Sequence, residues 1–243
     1  MPVPAGPKGA GPRGQEQGGQ NVIADPDQFL RTHTRPARAP LVPEITLHLA
    51  SEITPIWQAS EDWLRAHNIE PPFWAFAWPG GQALARHILD HPETVAGKRV
   101  LDFAAGCGIA AIASARAGAA SVEAAEIDFL SIAAIRLNAA ANDVLIPAEN
   151  RDIVGMPCRW DIILCGDVCY EAPMTSHILP WLRAMARTAE VWVADPGRAY
   201  LPREGLTAFA DYRVPTSLEL EDRTERRVVL YRLRPPQSPC PKG

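Results

Sequence analysis

A glycine-containing loop between two apolar stretches is the strongest chemical signal in the sequence. The residues VLDFAAGCGIAA (100–111) predict a buried strand that passes through Gly106 and Gly108 directly into a helix. Glycines at such a turn let the backbone approach a ligand closely, because no Cβ stands in the way. The spacing Gly106-x-Gly108-x-x-Ala111 also satisfies a dinucleotide-binding fingerprint. The loop therefore predicts a site for a nucleotide-containing cofactor.

The charge around this loop decides which cofactor is favoured. Asp102 directly precedes the loop, and the loop contains no lysine or arginine. A pyrophosphate would be repelled by this carboxylate, whereas a ligand with an ammonium or sulfonium group would be attracted. S-adenosylmethionine (SAM) carries both groups, so the sequence favours SAM over a dinucleotide.

Three more carboxylates follow at places where a nucleoside could be held. Glu126 ends the next predicted strand, where an acidic side chain can bind both ribose hydroxyls. Asp128 either faces the same ligand or caps the following helix. Asp152 follows the third predicted strand and could accept a hydrogen bond from the adenine amino group, although a lone acidic loop residue is usually only solvated.

Alternating strands and helices must position these residues. The pattern predicts helices at 26–30, 60–66, 82–89, 109–117, 130–142, 173–187 and 203–211, and strands at 44–50, 99–104, 121–127, 147–151, 160–166, 190–195, 212–220 and 226–233. Such alternation is typical of an α/β fold with helices on both faces of a mostly parallel sheet. We predict a Rossmann-like, doubly wound, seven-stranded sheet in which a C-terminal hairpin strand is antiparallel.

Composition excludes several classes of protein. The 243 residues include 24 basic and 28 acidic side chains, a net charge of −4 that opposes binding to nucleic acid. No apolar run reaches the length of about 18 residues that a membrane span needs. The five cysteines form no CxxC pair, so neither a metal site nor a disulfide framework is expected. We expect a cytoplasmic protein and, since no motif suggests an obligate oligomer, a monomer.

The ends of the chain differ from its middle. Residues 1–20 contain four prolines and six glycines, and the last nine residues contain four prolines. Such segments bury too little apolar surface to offset their ordering entropy. We therefore predict a disordered tail at 1–24, one domain at 25–234 and a flexible tail at 235–243. Within the domain, residues 25–80 form an N-terminal extension on the substrate side.

Five motifs in order resemble one family of proteins. They are FWAFAWPGGQAL (73–84), VLDFAAGCG (100–108), AEID (125–128), GDVCYE (166–171) and ADPGR (194–198). Together they resemble the class I, seven-strand SAM-dependent methyltransferases, and among these the electron-transfer-flavoprotein β-subunit lysine methyltransferases. The resemblance covers about residues 25–233. It implies protein-lysine N-methylation with SAM as cofactor and the flavoprotein β subunit as protein substrate.

The resemblance also implies roles for individual residues. It places the lysine beside Asp167 and Tyr170, which would orient the amine and shape its channel. It brings the segment that holds Trp78, Gly80 and Gly81 over the cofactor, where helix amides could bind the SAM carboxylate. The residues expected at the substrate rim are Trp74, Asp195 and Arg198. The sequence departs from the family at Ala104, where the loop normally has its first glycine, and this methyl group is expected to weaken SAM binding modestly.

Other functions stay open at this point. The acceptor could be a ribosomal protein or a small amine such as a pyridine, because an aromatic pocket with one carboxylate suits these too. The glycine fingerprint also allows a function of a different class, that of a nicotinamide-dependent oxidoreductase. A non-catalytic SAM-binding protein is a further alternative.

Overall fold

The computed structural model describes residues 23, 25–51, 54–58, 71–217 and 221–236. The helices in these ranges are α1 (Pro26–His33), α2 (Pro55–Gln58), α3 (Pro79–Asp90), α4 (Ile109–Arg116), α5 (Phe129–Ala140) and α6 (Ala172–Met185). The strands are β1 (Arg35–Ala39), β2 (Val42–Leu49), β3 (Arg99–Phe103), β4 (Ser121–Glu126), β5 (Ala148–Asn150), β6 (Ile162–Gly166), β7 (Glu190–Asp195), β8 (Leu206–Pro215) and β9 (Glu225–Leu233).

The central sheet has seven strands in the order β5-β4-β3-β6-β7-β9-β8. The pairs from β5 to β7 are parallel, and β9 is antiparallel to both of its neighbours. This confirms the predicted doubly wound fold with an antiparallel C-terminal hairpin strand. The chain winds outward from β3 to β5 and then returns to β6 on the other side of β3. The carboxyl ends of β3 and β6 therefore flank the switch point, where ligands bind in such sheets.

Successive residues of the strands belong to two separate hydrophobic cores. Val100 and Ile162 pack on the face covered by α3 and α4, whereas Leu101, Phe103 and Ile163 pack on the face covered by α6. Side chains along a strand alternate between the two faces of a sheet, and here both faces are buried. The alternation places Asp102, between Leu101 and Phe103, on the α4 face of the sheet.

A small antiparallel sheet of β1 and β2 precedes the central sheet. The sequence predicts a strand at 44–50 but not its partner β1. Asn138 of α5 and Asn142, in the turn that follows this helix, attach the hairpin to the domain. Asn142 accepts from the Thr46 N–H and donates to the Thr46 carbonyl, at 3.0 and 2.6 Å. Asn138 accepts from the His48 N–H at 2.7 Å and donates to the Cys107 carbonyl at 2.9 Å.

Replacing the fully buried Asn138 with alanine should destabilise the fold. The Asn138→Ala change leaves the His48 N–H and the Cys107 carbonyl without their partner, which should lower the free energy of unfolding by about 2 kcal/mol. Urea denaturation of both proteins measures this difference. A loss below about 0.5 kcal/mol would show that these two bonds are replaced at no cost.

The helix predicted at 203–211 is wrong, because β8 begins inside it and also takes in the start of the strand predicted at 212–220. The apolar residues of LTAFA (206–210) have the spacing of a helix face. A break in the register between Ala208 and Ala210 explains this spacing, since an extra residue in a strand shifts its inward-facing positions.

Some predictions concern residues outside the described ranges. These are the helix at 60–66, nearly all of the tail at 1–24, and the tail at 235–243 beyond residue 236. The division into a domain at 25–234 with an extension at 25–80 stays a prediction. In the described ranges, no helix combines the length and apolar character that crossing a bilayer requires.

Candidate active site

The loop after β3 has an unusual backbone. Ala104, Gly106 and Gly108 have φ values of 54°, 53° and 77°, in the left-handed region that favours glycine. Gly108 must also lack a side chain, because a Cβ there would lie 3.2 Å from Ile135. Among the described residues, a Cβ at Gly106 would meet only the Phe73 carbonyl within 4 Å, at 3.8 Å. The loop is therefore close-packed at its helix end and open where it passes Gly106.

Ala104 is the strained member of this loop, since a side chain in the left-handed region costs about 1–2 kcal/mol. Ala104→Gly should raise the free energy of unfolding by about 0.5–1 kcal/mol and should bind SAM at least as tightly as the parent. Ala105→Gly is the matched control, because Ala105 has no positive φ and should lose stability instead. Thermal melts of the parent and the two variants measure these differences. If both variants raised the melting temperature, or both lowered it, backbone strain at Ala104 would be contradicted.

Asp102 lies beneath the loop with its side chain buried. Its Oδ2 accepts from the Ala111 N–H of α4 at 2.9 Å, so the carboxylate caps this helix from the neighbouring strand. Desolvation, with a smaller contribution from the charge of Glu126, raises the pKa of Asp102 to about 8. A dinucleotide would need the same helix N-terminus for its pyrophosphate, and the carboxylate there opposes that binding.

This pKa predicts how stability depends on pH in the absence of cofactor. An unfolded aspartate has a pKa near 3.9, so between about pH 4 and 8 the folded state binds more protons at Asp102 than the unfolded state does. The Asp102 contribution to stability therefore falls as the pH rises through this window. The asparagine in Asp102→Asn cannot ionise. The free energy of unfolding of this variant, minus that of the parent, should therefore increase from about pH 5 to pH 8. Urea denaturation at several pH values checks this, and parallel curves for the two proteins would contradict it.

Glu126 ends β4 directly beside the glycine loop. Its Oε1 accepts from the Gly106 N–H at 2.7 Å and its Oε2 from the Ile127 N–H at 3.0 Å. Desolvation raises the pKa of Glu126, although these two bonds act against it. In the described part of the chain, neither Glu126 nor Asp102 has an ion-pair partner. The loop therefore carries two carboxyl groups whose charged forms burial disfavours and a cationic ligand would favour.

The other two predicted cofactor carboxylates have local partners. Asp128 is the N-cap of α5 and accepts from the Leu130 N–H at 2.9 Å and the Ser131 hydroxyl at 3.1 Å. Asp152 accepts from the Val154 N–H, and its Oδ2 lies 2.6 Å from His177 Nε2. Both side chains thus fill structural roles, and their contact with a nucleoside stays a prediction.

The start of α3 is pressed against the ends of β6 and β7. A Cβ on Gly80 would lie 2.5 Å from Asp167 Oδ2 and 2.6 Å from the Ala194 carbonyl, and one on Gly166 would lie 2.9 Å from the Gly81 N. The Gly80 N–H donates to Asp167 Oδ2. The anion at this helix N-terminus is thus the Asp167 carboxylate. This corrects the expectation that Gly80 binds the carboxylate of SAM, because its N–H is already in use.

Asp167 is the centre of the contacts at this edge of the sheet. Its Oδ1 accepts from Arg198 Nη2 at 2.8 Å and Nε at 3.2 Å, and its own N–H donates to the Ala194 carbonyl. Burial raises the pKa of Asp167 to about 6, although Arg198 and the Gly80 N–H favour the charged form. Asp195 Oδ1 accepts from the N–H groups of Gly197 and Arg198, which holds the loop that carries the arginine.

Of the two predicted rim residues in this loop, Arg198 is partly buried and Asp195 faces inward. The side chain of Asp195 is only 1% exposed, and burial raises its pKa. Asp195 therefore shapes the rim through the backbone of its loop, while the guanidinium of Arg198 lies at the edge itself.

Aromatic side chains line the same edge. Phe73 lies 5.3 Å from Tyr170 and 5.9 Å from Trp78, measured between ring centroids, and Trp78 Nε1 donates to the Phe73 carbonyl at 2.9 Å. Phe73 and Tyr170 are 39% and 38% exposed. Sequence reasoning missed Phe73 and chose its neighbour Trp74, which is fully buried against Leu30 and Leu130 in a separate core. Trp74 is therefore not at the rim.

No group of three or more His, Cys, Asp or Glu side chains in the described ranges could hold a metal ion.

Comparisons with known proteins agree with this architecture. Residues 84–165 match the family model described as ribosomal protein L11 methyltransferase (PrmA). The Xenopus laevis protein named electron transfer flavoprotein beta subunit lysine methyltransferase is 39% identical, over 72% of this chain and 71% of its own length. The protein of the same name from Danio rerio is 32% identical over 91% of this chain and 86% of its own.

The fold also matches a solved structure. The crystal structure of a proposed RNA methyltransferase from Pyrococcus horikoshii superposes with a TM-score of 0.52, at 16% identity, over 68% of this chain and 90% of that one. At this identity the match concerns the fold alone. The fold, with the carboxylates beside the glycine loop, defines a class I SAM-dependent methyltransferase. More narrowly, the chain belongs to the electron transfer flavoprotein β-subunit lysine methyltransferase family.

The residues beside the loop fit this cofactor. Asp102 and Glu126 supply two carboxyl groups without an ion-pair partner in the described ranges, and a bound cation would favour their charged forms. Among the described residues, the space beside Gly106 leaves room for a ligand. SAM carries positive charge on its amino group and its sulfur, and its ribose offers two hydroxyl donors to a carboxylate.

Proposed function

We propose that this methyltransferase modifies lysine side chains of the electron transfer flavoprotein β subunit. The observation that carries the proposal is the similarity to the Danio rerio relative of that name over 86% of its length. The match to the L11 methyltransferase model ends at residue 165, just before the motif GDVCYE (166–171). That match therefore bears on the cofactor half of the domain and gives no support to L11 as the acceptor.

On the cofactor side, we propose that Glu126 accepts hydrogen bonds from the ribose hydroxyls. Its oxygens accept from the Gly106 and Ile127 N–H groups, and a carboxylate has about four acceptor positions in all. Asp102 keeps β3 and α4 together through the Ala111 N–H, and a bound cation would lower its raised pKa and favour the charged carboxylate. When bound, SAM supplies a methyl group that its positively charged sulfur activates for transfer.

On the acceptor side, the exposed rings of Phe73 and Tyr170 form apolar walls for the methylene stem of a lysine. Burial raises the pKa of Tyr170 to about 12, so its hydroxyl stays protonated at neutral pH and donates a hydrogen bond rather than accepting a proton. Asp167 Oδ2 has one donor, from Gly80, which leaves an acceptor position for the amine.

Asp167 would orient the amine and stabilise the developing positive charge without keeping its proton. The pKa of Asp167 is about 6, far below the value of about 10.4 for a free lysine, so the carboxylate is a poor proton acceptor for an ammonium group. We propose that the lysine loses this proton to the bulk solvent before its neutral amine enters the site and attacks the methyl group of SAM.

A labelling experiment tests which acceptor is used. Purified protein and radiolabelled SAM are added to an extract of cells that lack the protein, and the products are resolved on a gel. One labelled band identified as the flavoprotein β subunit by mass spectrometry supports the proposal. A labelled ribosomal protein, or label only in the small-molecule fraction, would instead assign a different acceptor.

A further inference from the structure

A carboxylate in the turn of the C-terminal hairpin is buried beside the active-site arginine. The side chain of Glu221 is only 2% exposed, although it lies between β8 and β9 at the end of a two-stranded extension. Its Oε1 accepts from Arg198 Nη2 at 2.6 Å, and its Oε2 from Arg198 Nη1 at 3.2 Å and Arg226 Nε at 3.0 Å. A charged group this deeply buried in a turn needs partners, and here two arginines supply them.

Arg198 connects this glutamate to the site. One guanidinium binds both Asp167 and Glu221, and it lies 5.9 Å from the centroid of the Trp78 ring. The resulting series Asp167–Arg198–Glu221–Arg226 alternates in sign, with two negative and two positive charges. Because the Arg198 side chain is still 21% exposed, Asp167 alone leaves it a route to rotate into solvent. Glu221 closes that route by holding the opposite side of the guanidinium.

We propose that Glu221 is a positioning residue for methyl transfer, acting through Arg198 on the Asp167 carboxylate. This inference rests on the proposed function and assigns the β8–β9 turn a part in the acceptor site. Its physical basis is that Arg198 fixes Asp167 Oδ1, while Asp167 Oδ2 fixes the Gly80 N–H at the start of α3. Loss of Glu221 would therefore loosen Arg198, then Asp167, then the beginning of α3.

The test compares Glu221→Gln with two control variants on the same hairpin. Glu225→Gln removes an exposed carboxylate that pairs with Arg213, and Arg226→Met removes the outer arginine while keeping the contact between Glu221 and Arg198. With the flavoprotein β subunit as substrate, Glu221→Gln should lower kcat about tenfold or more while the SAM Kd stays within about twofold. Both controls should keep kcat within about twofold of the parent.

A second measurement needs no substrate. Hydrogen exchange of the peptide containing the Gly80 amide should be faster in Glu221→Gln than in the parent, and unchanged in Arg226→Met. If Glu221 only stabilises the hairpin, Glu221→Gln and Arg226→Met will both lower the melting temperature without changing kcat or Gly80 exchange. That outcome would overturn the inference.

The inference about Glu221 and the proposed function can fail independently of each other. If the parent protein does not methylate the flavoprotein subunit, the proposed function fails, and Gly80 exchange alone decides the role of Glu221. Should Glu221→Gln fail to fold, Arg198→Lys replaces it, since lysine keeps the charge but cannot bind both carboxylates with a planar fork. Parent-like kcat and Gly80 exchange in Arg198→Lys would overturn the inference.

Discussion

Gly80→Ala should be among the most damaging single substitutions in this protein. The new Cβ would lie 2.5–2.7 Å from Asp167 Oδ2, the Ala194 carbonyl oxygen and the Asp167 N, so helix α3 must move away from the sheet. We expect the free energy of unfolding to fall by about 3 kcal/mol, or roughly 6–12 °C in melting temperature. Methyl transfer should be lost as well, because the hydrogen bond from Gly80 to Asp167 breaks. Thermal melts and an activity assay measure the two effects.

Gly81→Ala is the matched control in the same helical turn. Among the described residues, its Cβ would approach only Ile109 Cγ2, at 3.1 Å, and a shift of a few tenths of an ångström relieves that contact. Alanine also favours a helix over glycine by about 1 kcal/mol, so stability should change by less than about 1 kcal/mol. Equal losses of stability and activity in Gly80→Ala and Gly81→Ala would show that the close contact between Gly80 and Asp167 is not the cause of the damage.

Glu126→Ala should produce the largest loss of SAM affinity. It removes the carboxylate that we propose accepts from the two ribose hydroxyls, and charge-assisted hydrogen bonds contribute roughly 1.5–3 kcal/mol each. It also frees the Gly106 N–H, which loosens the loop. We expect the SAM Kd to rise by at least about tenfold and by roughly a hundredfold if both hydroxyls are bound. Isothermal titration calorimetry gives this value directly.

Glu123→Gln provides the comparison on the same strand. Glu123 lies three residues earlier in β4 and pairs with Arg159 instead of the glycine loop. Its substitution should leave SAM affinity unchanged. A Glu126→Ala protein that binds SAM as tightly as Glu123→Gln would remove Glu126 from the cofactor site.

The cofactor half could be predicted from sequence because its signals are local. The strand, the glycine turn and helix α4 follow each other within VLDFAAGCGIAA (100–111), and Glu126 ends the very next strand. Turn geometry and side-chain alternation act over only a few residues, so both can be identified without knowing the tertiary structure. Ala104 stands where the resemblance expects a glycine, and its φ of 54° lies in the region that favours glycine. The weaker SAM binding expected from its methyl group stays a prediction.

The acceptor half depends on contacts between distant segments, which local patterns do not reveal. Asp167 binds Gly80, 87 positions earlier, and Arg198, 31 positions later. Local patterns therefore do not show that the anion at the N-terminus of α3 is the Asp167 carboxylate, and the roles of Asp167 and Gly80 in the site stay predictions. Glu221 carried no signal at all, because a glutamate in a charged turn is ordinarily solvated.

Choosing between adjacent aromatic residues is another point where sequence reasoning failed. Trp74 and Phe73 are neighbours in a short 3₁₀ helix, so their side chains point in different directions. Trp74 is the larger residue and was expected at the rim, yet it fills the core beside α5, while Phe73 contacts Tyr170. Without the orientation of that helix turn, the sequence cannot decide which ring is buried.

The most direct test of the account uses purified components. Electron transfer flavoprotein is incubated with this protein and SAM, and the β subunit is analysed by intact-mass and peptide mass spectrometry. We expect one or more added methyl groups on lysine side chains, dependent on SAM and strongly reduced with Glu126→Ala. An unmodified β subunit, measured with a preparation that binds SAM normally, would contradict it.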